Sequence, residues 1–196
     1  MRRAAPWVLG LLLAGCAVAP VVEEGAWETR RAHLLALDDW AAQGRLSVTL
    51  PDESVQGRFQ WRQRQDWLEA RFRGPLGVGG VFIYGPPEHL TAIGRDGETL
   101  LLTDPERDLR TLLGHPLPVQ SMRRWLLGLA DPAYPHAWRF DDDGLPVHLD
   151  QRAWQVEYHG WREYDGQLMP RRIDMNGEDV AIRIVLDQWR ADPDRT

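Results

Sequence analysis

The chain contains no lysine. All 23 basic residues are arginine, set against 29 aspartates and glutamates for a net charge of −6. The missing lysine excludes the phosphate loop that needs one to reach the terminal phosphates of a nucleotide. The arginine bias reads as genomic composition and carries no function. An acidic balance without a basic stripe argues against a nucleic-acid partner, which requires cations to neutralise phosphates. Serine is scarce as well. Ser47, Ser54 and Ser121 are the only three, there is no G-x-S-x-G, and none has the strand–elbow–helix setting of a hydrolase nucleophile. The six histidines (33, 89, 115, 136, 148 and 159) show no H-E-x-x-H and no other paired metal spacing, so no metal site is expected. His115, between Gly114 and Pro116, reads as a connector. With one cysteine, Cys16, no internal disulfide is available and burial alone must hold the fold. Ten tryptophans supply much of that burial, at roughly 150–250 Å² per aromatic side chain. No apolar run approaches the roughly 20 residues of a spanning helix.

What is present begins at the cysteine. Arg2 and Arg3 precede an apolar stretch from Ala4 to Ala14, which leads into Leu13-Ala14-Gly15-Cys16. A positive start, an apolar core and small residues before a cleavage point mark an exported precursor. With the cysteine directly after the small residues, the segment resembles the lipobox of bacterial lipoproteins. In that reading Cys16 receives a diacylglyceryl group, cleavage falls between Gly15 and Cys16, and the new amine is acylated. An ordinary signal peptide with an incidental cysteine is the alternative. One acyl chain binds a membrane marginally, whereas two or three anchor stably. The expected organisation is a lipoprotein signal peptide over 1–15, an acylated tether over 16–25 and one domain over 26–196. Cleavage would leave 181 of the 196 residues and, by removing Arg2 and Arg3, take the charge to −8.

Residues 26–42 read as a helix, with Trp27, Leu34, Leu37 and Ala41 at helical spacing and Arg30, Arg31, Asp38 and Asp39 mostly opposite. The period then becomes two. Leu46, Val48 and Leu50, then Phe59 and Trp61, then Leu68, Ala70 and Phe72 alternate with polar residues, as half-buried antiparallel strands do. Further strands are expected at 80–85, 88–94 and 98–103. A helical insertion follows, over 105–113 and from Gln120 to about Leu127. Strands resume at 136–140, 145–150, 153–161, 170–176 and 180–189. Ten or eleven strands with two or three helices make an α+β fold whose sheet tends to curl or close. The tryptophan-rich strands read either as a plain aromatic core or as the wall of an apolar cavity.

Asp141-Asp142-Asp143-Gly144 lacks the alternating ligands and twelfth-position glutamate of a calcium loop, so it reads as a hairpin turn. The glycines at 74, 77, 79 and 80 precede a strand where a phosphate loop needs a helix. The connection Gly74-Pro75-Leu76-Gly77-Val78-Gly79-Gly80 is unusual because hairpin tips are normally polar. Leu76 and Val78 either tuck into the core or, on a chain tethered to a bilayer, touch the membrane. One leucine entering hydrocarbon gains roughly 1.5–3 kcal/mol, enough for transient contact and too little for anchoring.

Together these residues resemble the LolB family of outer-membrane lipoprotein receptors in the lipoprotein-localisation pathway. The resemblance rests on the lipobox, on Gly74-Pro75-Leu76-Gly77, and on Pro116-Leu117-Pro118 followed by Gln120-Ser121-Met122-Arg123-Arg124-Trp125-Leu126-Leu127-Gly128. Trp154-Gln155-Val156-Glu157-Tyr158, Leu168-Met169-Pro170 and a closing strand ending in Trp189 add to it. It implies an incomplete antiparallel β-barrel with helices covering an apolar cavity. It also implies a non-enzymatic monomer without cofactors that takes acylated lipoproteins from a soluble periplasmic carrier and inserts them into the inner leaflet of the outer membrane. Outer-membrane phospholipid is then a partner. Ala17 fits that sorting, since an aspartate there would favour inner-membrane retention. Pro75, Leu76 and Val78 correspond to the family's protruding membrane-contacting loop. The acyl-chain candidates are Phe59, Trp61, Leu68, Phe72, Trp125, Leu126, Trp154 and Tyr158, facing lipid or core. Two other classes stay open: an assembly lipoprotein that docks a protein partner, and a periplasmic hydrolase with an unrecognised site.

Overall fold

In a computed structural model the described residues are 24–75, 80–94, 96–113, 115 and 117–194. The elements run α1 (Glu24–Leu35), β1 (Asp39–Thr49), β2 (Ser54–Arg64), β3 (Trp67–Arg73), β4 (Gly80–Gly85), β5 (Leu90–Ile93), β6 (Thr99–Leu102), α2 (Pro105–Leu113), α3 (Val119–Trp125), β7 (His136–Phe140), β8 (Pro146–Gln151), β9 (Trp154–Tyr164), β10 (Gln167–Asn176) and β11 (Ala181–Ala191). All 11 strands form one antiparallel sheet in the order β6-β5-β4-β3-β2-β1-β11-β10-β9-β8-β7. Each half is a meander, and the halves meet where the first strand pairs with the last, from Trp40↔Ala191 to Thr49↔Ala181. The free edges, β6 and β7, do not meet, so the barrel is incomplete, as the resemblance implied. The segment 103–135, which contains α2 and α3, connects these two edges.

The expected helix over 26–42 is corrected at both ends. It begins at Glu24 and stops at Leu35, and residues 39–42 open β1 instead. Ala41, assigned to the helical stripe, lies on the strand face opposite Trp40 and Ala42, which are buried. The reason is tertiary. As a strand this stretch pairs with β2 through Ala42↔Trp61 and with β11 through Ala42↔Trp189, and Trp40 stacks on Trp61 with ring centroids 6.1 Å apart. Burying one large apolar side chain contributes roughly 1.5–3 kcal/mol, more than the propensity differences of the few residues involved.

The strand alternation sends one set of side chains inward, among them Leu68, Ile83, Leu149, Val156, Ile173 and Ile184, and Trp27, Leu34, Leu109 and Trp125 of the helices bury into the same cluster. All three helices therefore cover one face of the sheet. Turns at 51–52 and 65–66 join the first three strands, and the turn at 141–144 falls where the sequence puts it. In the last, the Asp141 carboxylate accepts hydrogen bonds from the backbone N–H of Asp143 (3.1 Å) and Leu145 (2.8 Å), which makes it a capped hairpin turn. No helix among the described residues is long and apolar enough to cross a membrane.

The seam between the halves contains a β-bulge at Gln43/Gly44. A Cβ on Gly44 would lie 2.1 Å from the Val185 carbonyl oxygen and 3.0 Å from the Phe59 ring. Gly44→Ala is expected to cost about 2 kcal/mol by overpacking, a drop in Tm of roughly 4–8 °C for a chain of this size. Gly94→Ala, whose new methyl meets nothing nearer than 3.9 Å, serves as the control. Equal melting of the two variants would remove the bulge as a constraint on the seam.

Candidate functional site

The face beneath the helices brings the expected acyl residues together. Phe59, Trp61, Leu68, Trp125, Leu126, Trp154 and Tyr158 are buried in one apolar cluster, and Phe72 is half-buried at its margin. Their grouping follows from register. Phe59 faces Phe72 across β2 and β3, Tyr158 faces Ile173 across β9 and β10, and Trp154 meets Trp125 of α3 with centroids 6.0 Å apart. In this closed arrangement these side chains pack as core. Two clefts, of about 260 and 620 Å³, are lined in common by Gln60 and Arg71 of the outer face, with Trp61 and Trp189 also lining the first and Phe59 and Pro75 the second.

The helix α3 lies over this face as a strap with attachments on both halves of the sheet. On one side the Trp125 indole N–H donates to Gln151 Oε1 at 2.9 Å, and that oxygen also accepts from the Asp131 N–H. The Gln151 amide donates in turn to the Asp131 and Tyr134 carbonyls, at 2.8 and 3.1 Å. On the other side Arg123 pairs with Asp66 in the β2–β3 turn at 3.8 Å, and Gln120 donates to the Pro87 carbonyl at 3.4 Å. The strap ends in a Schellman-type cap. The Leu129 N–H bonds the Arg124 carbonyl, and Gly128 takes φ +71 with a would-be Cβ 2.8 Å from Trp161.

A second latch joins both helices to the β8–β9 turn. Arg152 donates two 2.5 Å bonds to the Glu106 carboxylate of α2 and one of 3.1 Å to Ser121 of α3, whose hydroxyl donates to Asp131 at 2.7 Å. These bonds hold Arg152 at φ 55, beside Ala153 at φ 60, a left-handed pair that a two-residue hairpin requires and that neither residue favours. Ser121, rejected as a nucleophile, is thus a buried structural hydroxyl.

Arg30 departs from the sequence reading. Assigned to the polar side of α1, it is largely buried, with its guanidinium 4.8 Å from the Trp161 ring and 5.5 Å from that of Trp27. It donates to the Leu168 carbonyl at 2.5 Å. Loss of solvent lowers its pKa to about 10, so it remains a cation at neutral pH. Its Nη1, the Tyr158 hydroxyl and the Trp161 indole nitrogen are buried without a hydrogen-bond partner among the described residues. Burial pushes the Tyr158 hydroxyl far above its usual pKa, so it stays protonated. Three unused donors therefore lie near α1, where only an acceptor satisfies them. Spacing hid Arg30, because a helical wheel does not reveal that two tryptophans will flank a cation.

The ligand atoms of Glu157, His159 and Asp174 lie within 4.8 Å of one another. Arg183 and Arg172 occupy the Asp174 carboxylate at 2.7 and 3.3 Å, so the cluster is an ion-pair network on the outer face. Cys16, Leu76 and Val78 lie outside the described residues, as do the expected signal peptide and most of the tether. Pro75 is described and stands exposed at the end of the connection after β3.

The family model for "Outer membrane lipoprotein LolB" matches residues 38–189, from the start of β1 into the last turn of the seam in β11. The chain belongs to the LolB family. An outer-membrane lipoprotein LolB of Stutzerimonas stutzeri (strain A1501) is 34% identical over 189 residues, covering 93% of this chain and 92% of the relative. One from Pseudomonas fluorescens (strain Pf0-1) is 33% identical over 186 residues and covers 91% of each chain. Among solved structures, a LolA superfamily protein from Nitrosomonas europaea has a TM-score of 0.54 at 11% identity, covering 87% of this chain and 95% of that one. A putative outer membrane lipoprotein-sorting protein domain from Vibrio parahaemolyticus also has a TM-score of 0.54, at 7% identity, covering 86% and 92%. Likeness at such identities concerns the fold alone. LolB membership makes the chain an outer-membrane lipoprotein of a transport family, and neither the hydrolase nor the assembly-protein alternative gains support.

Arg152→Ala removes three hydrogen bonds from a charged donor, two to Glu106 and one to Ser121, and is expected to cost about 2 kcal/mol. Hydrogen exchange should quicken in α2 and α3 while the β1–β11 seam stays protected. Arg152→Lys, which keeps the charge but not the fork, should fall between. Uniform quickening across the sheet would show that the latch holds the whole fold and not the strap.

Proposed function

We propose that this protein receives acylated lipoproteins from a soluble LolA-type carrier and inserts them into the inner leaflet of the outer membrane. The observation that carries the reading is an unclosed sheet of LolB sequence whose apolar face is covered, among the described residues, by the helices and the segment that follows α3. Burying a methylene contributes about 0.8 kcal/mol, so a 16-carbon chain carries on the order of 10 kcal/mol. Release into water is therefore prohibitively slow, and the chains must pass from one apolar surface to another. No nucleotide site is expected here, so transfer runs downhill, with the membrane holding the chains most tightly. Phe59, Trp61, Leu68, Phe72, Trp154 and Tyr158 on the sheet, with Trp125 and Leu126 on the strap itself, become the acyl-chain surface once the strap is lifted. The donors on Arg30, Tyr158 and Trp161 suit the ester and amide carbonyls at the head of the lipid, which accept and never donate.

In this reading Cys16 is acylated and holds the domain at the membrane as a monomer, with Leu76 as the contact that hands lipid to phospholipid. Because the anchor already supplies attachment, the weak insertion of one leucine serves as a delivery step. Native mass spectrometry of the mature-length chain with a triacylated lipopeptide tests the receptor activity, and a complex of one lipopeptide per chain is expected. Absence of any complex would sink the receptor reading. Leu76→Glu is expected to leave melting and lipopeptide uptake intact while deposition into vesicles stops. An unfolded Leu76→Glu variant would instead make Leu76 a core residue.

A further inference from the structure

The outer face of the sheet carries a charge pattern that acyl binding leaves unused. Arg45 on β1, Arg58 on β2 and Arg73 on β3 stand directly opposite one another, in the pairs Arg45↔Arg58 and Arg58↔Arg73. Residues so paired share a face, with Cβ atoms roughly 4.5–5.5 Å apart, and like charges there repel. All three side chains are exposed. Arg45 has one carboxylate neighbour, Asp187 at 3.6 Å, whereas Arg58 and Arg73 have no ion pair among the described residues. A row of three cations on adjacent strands is costly, and this chain has acidic residues in excess with which to relieve it. The row is relieved only at Arg45, whose partner Asp187 is the one carboxylate lining the adjacent cleft, and the two unpaired cations point to an anion supplied from outside.

The surroundings suit a phosphate. Arg58, Arg71 and Arg73 line a cleft of about 620 Å³ that also includes Gly74 and Pro75. Arg71 is held in place over the Phe82 ring, 4.1 Å from its centroid. A guanidinium fork holds two phosphate oxygens at once, which an ammonium does not. We propose that this arginine ladder binds the phosphate of anionic membrane phospholipids beside the Gly74-Pro75-Leu76 connection. The proposal rests on the reading of Leu76 as the membrane contact. Leu76 is three positions along the chain from Arg73, a reach of at most about 10 Å, which compares with a headgroup layer of roughly 5–8 Å. A leucine that enters hydrocarbon therefore brings Arg73 and its row to the level of the phosphates. An acidic protein surface would also satisfy three cations, but it has no need of a cleft that ends at the loop.

The test uses the mature-length chain with Cys16→Ala, which contains every described element and lacks the lipid that would mask weak binding. It is titrated with vesicles of phosphatidylcholine alone and of phosphatidylcholine mixed with phosphatidylglycerol. Binding is expected only to the mixed vesicles and is expected to weaken with salt. The double variant Arg58→Gln/Arg73→Gln should lose about 25-fold in vesicle affinity, at about fivefold per arginine. Its Tm should equal or exceed that of the parent, because repulsion has been removed, and its uptake of lipopeptide should be unchanged. Equal vesicle binding by parent and variant would overturn the proposal, as would a lower Tm with no change in binding. Weakened docking of the soluble carrier with vesicle binding intact would assign the ladder to an acidic protein. A Tm shift with inorganic phosphate alone, without vesicle binding, would assign it to free phosphate. Failure of the parent to take up lipopeptide would remove the receptor reading while leaving the vesicle result to stand by itself.

Discussion

Strand β1 is hydrogen-bonded along its length on both sides, to β2 in one half of the sheet and to β11 in the other. Neither meander reaches the other by any other strand pairing. Near its start Trp40 stacks on Trp61, Trp61 and Trp189 flank Ala42 from the two neighbouring strands, and the row of arginines crosses its middle at Arg45. The pairing is also the least local strand pairing among the described residues, joining positions about 130–150 apart. Such contacts close only after a large loss of chain entropy. The last strand to be made is thus the one that unites the sheet.

Around that seam the protein divides its interactions by strength. The sheet is held by continuous ladders and by apolar burial. The helices over the open side are held by the burial of Trp27, Leu34, Leu109 and Trp125 together with a few discrete polar contacts, chiefly Gln151 with Trp125, Arg152 with Glu106, and Arg30 with the Leu168 carbonyl. Hydrogen bonds of this kind contribute about 1–3 kcal/mol each, so they fix where the cover sits while apolar burial supplies most of its attachment. The strongest of the fastenings comes from Arg152, in a turn whose backbone conformation is unfavourable without its partners.

Much of this was legible in the sequence, because the period of two survives wherever one face of a strand is wet. The strands at 80–85 and 136–140 and the helix at 105–113 fall where the pattern puts them. The failure at 36–42 has the opposite cause. There Trp40 and Ala42 are buried and the intervening positions half-covered, so a central strand lacks the polar face that announces it. The acyl candidates on the strands follow from alternation, since register then carries them to one side, whereas Trp125 and Leu126 belong to the helical insertion. The latches were not, since Gln151, Arg152 and Glu106 meet through a turn and a crossover that no local period encodes. Arg30 shows the limit from another direction. Its charge assigned it to solvent, and only the tertiary placement of Trp27 and Trp161 on either side of it reverses that.

The helical segment 103–135 is at once the cover of the open side and the covalent link between its two edges, β6 and β7. Cover and opening are consequently one mechanical coordinate. A separate lid would hang from one edge by a hinge of its own. Here one stretch of backbone is both the cover of the open side and the tie between its two edges.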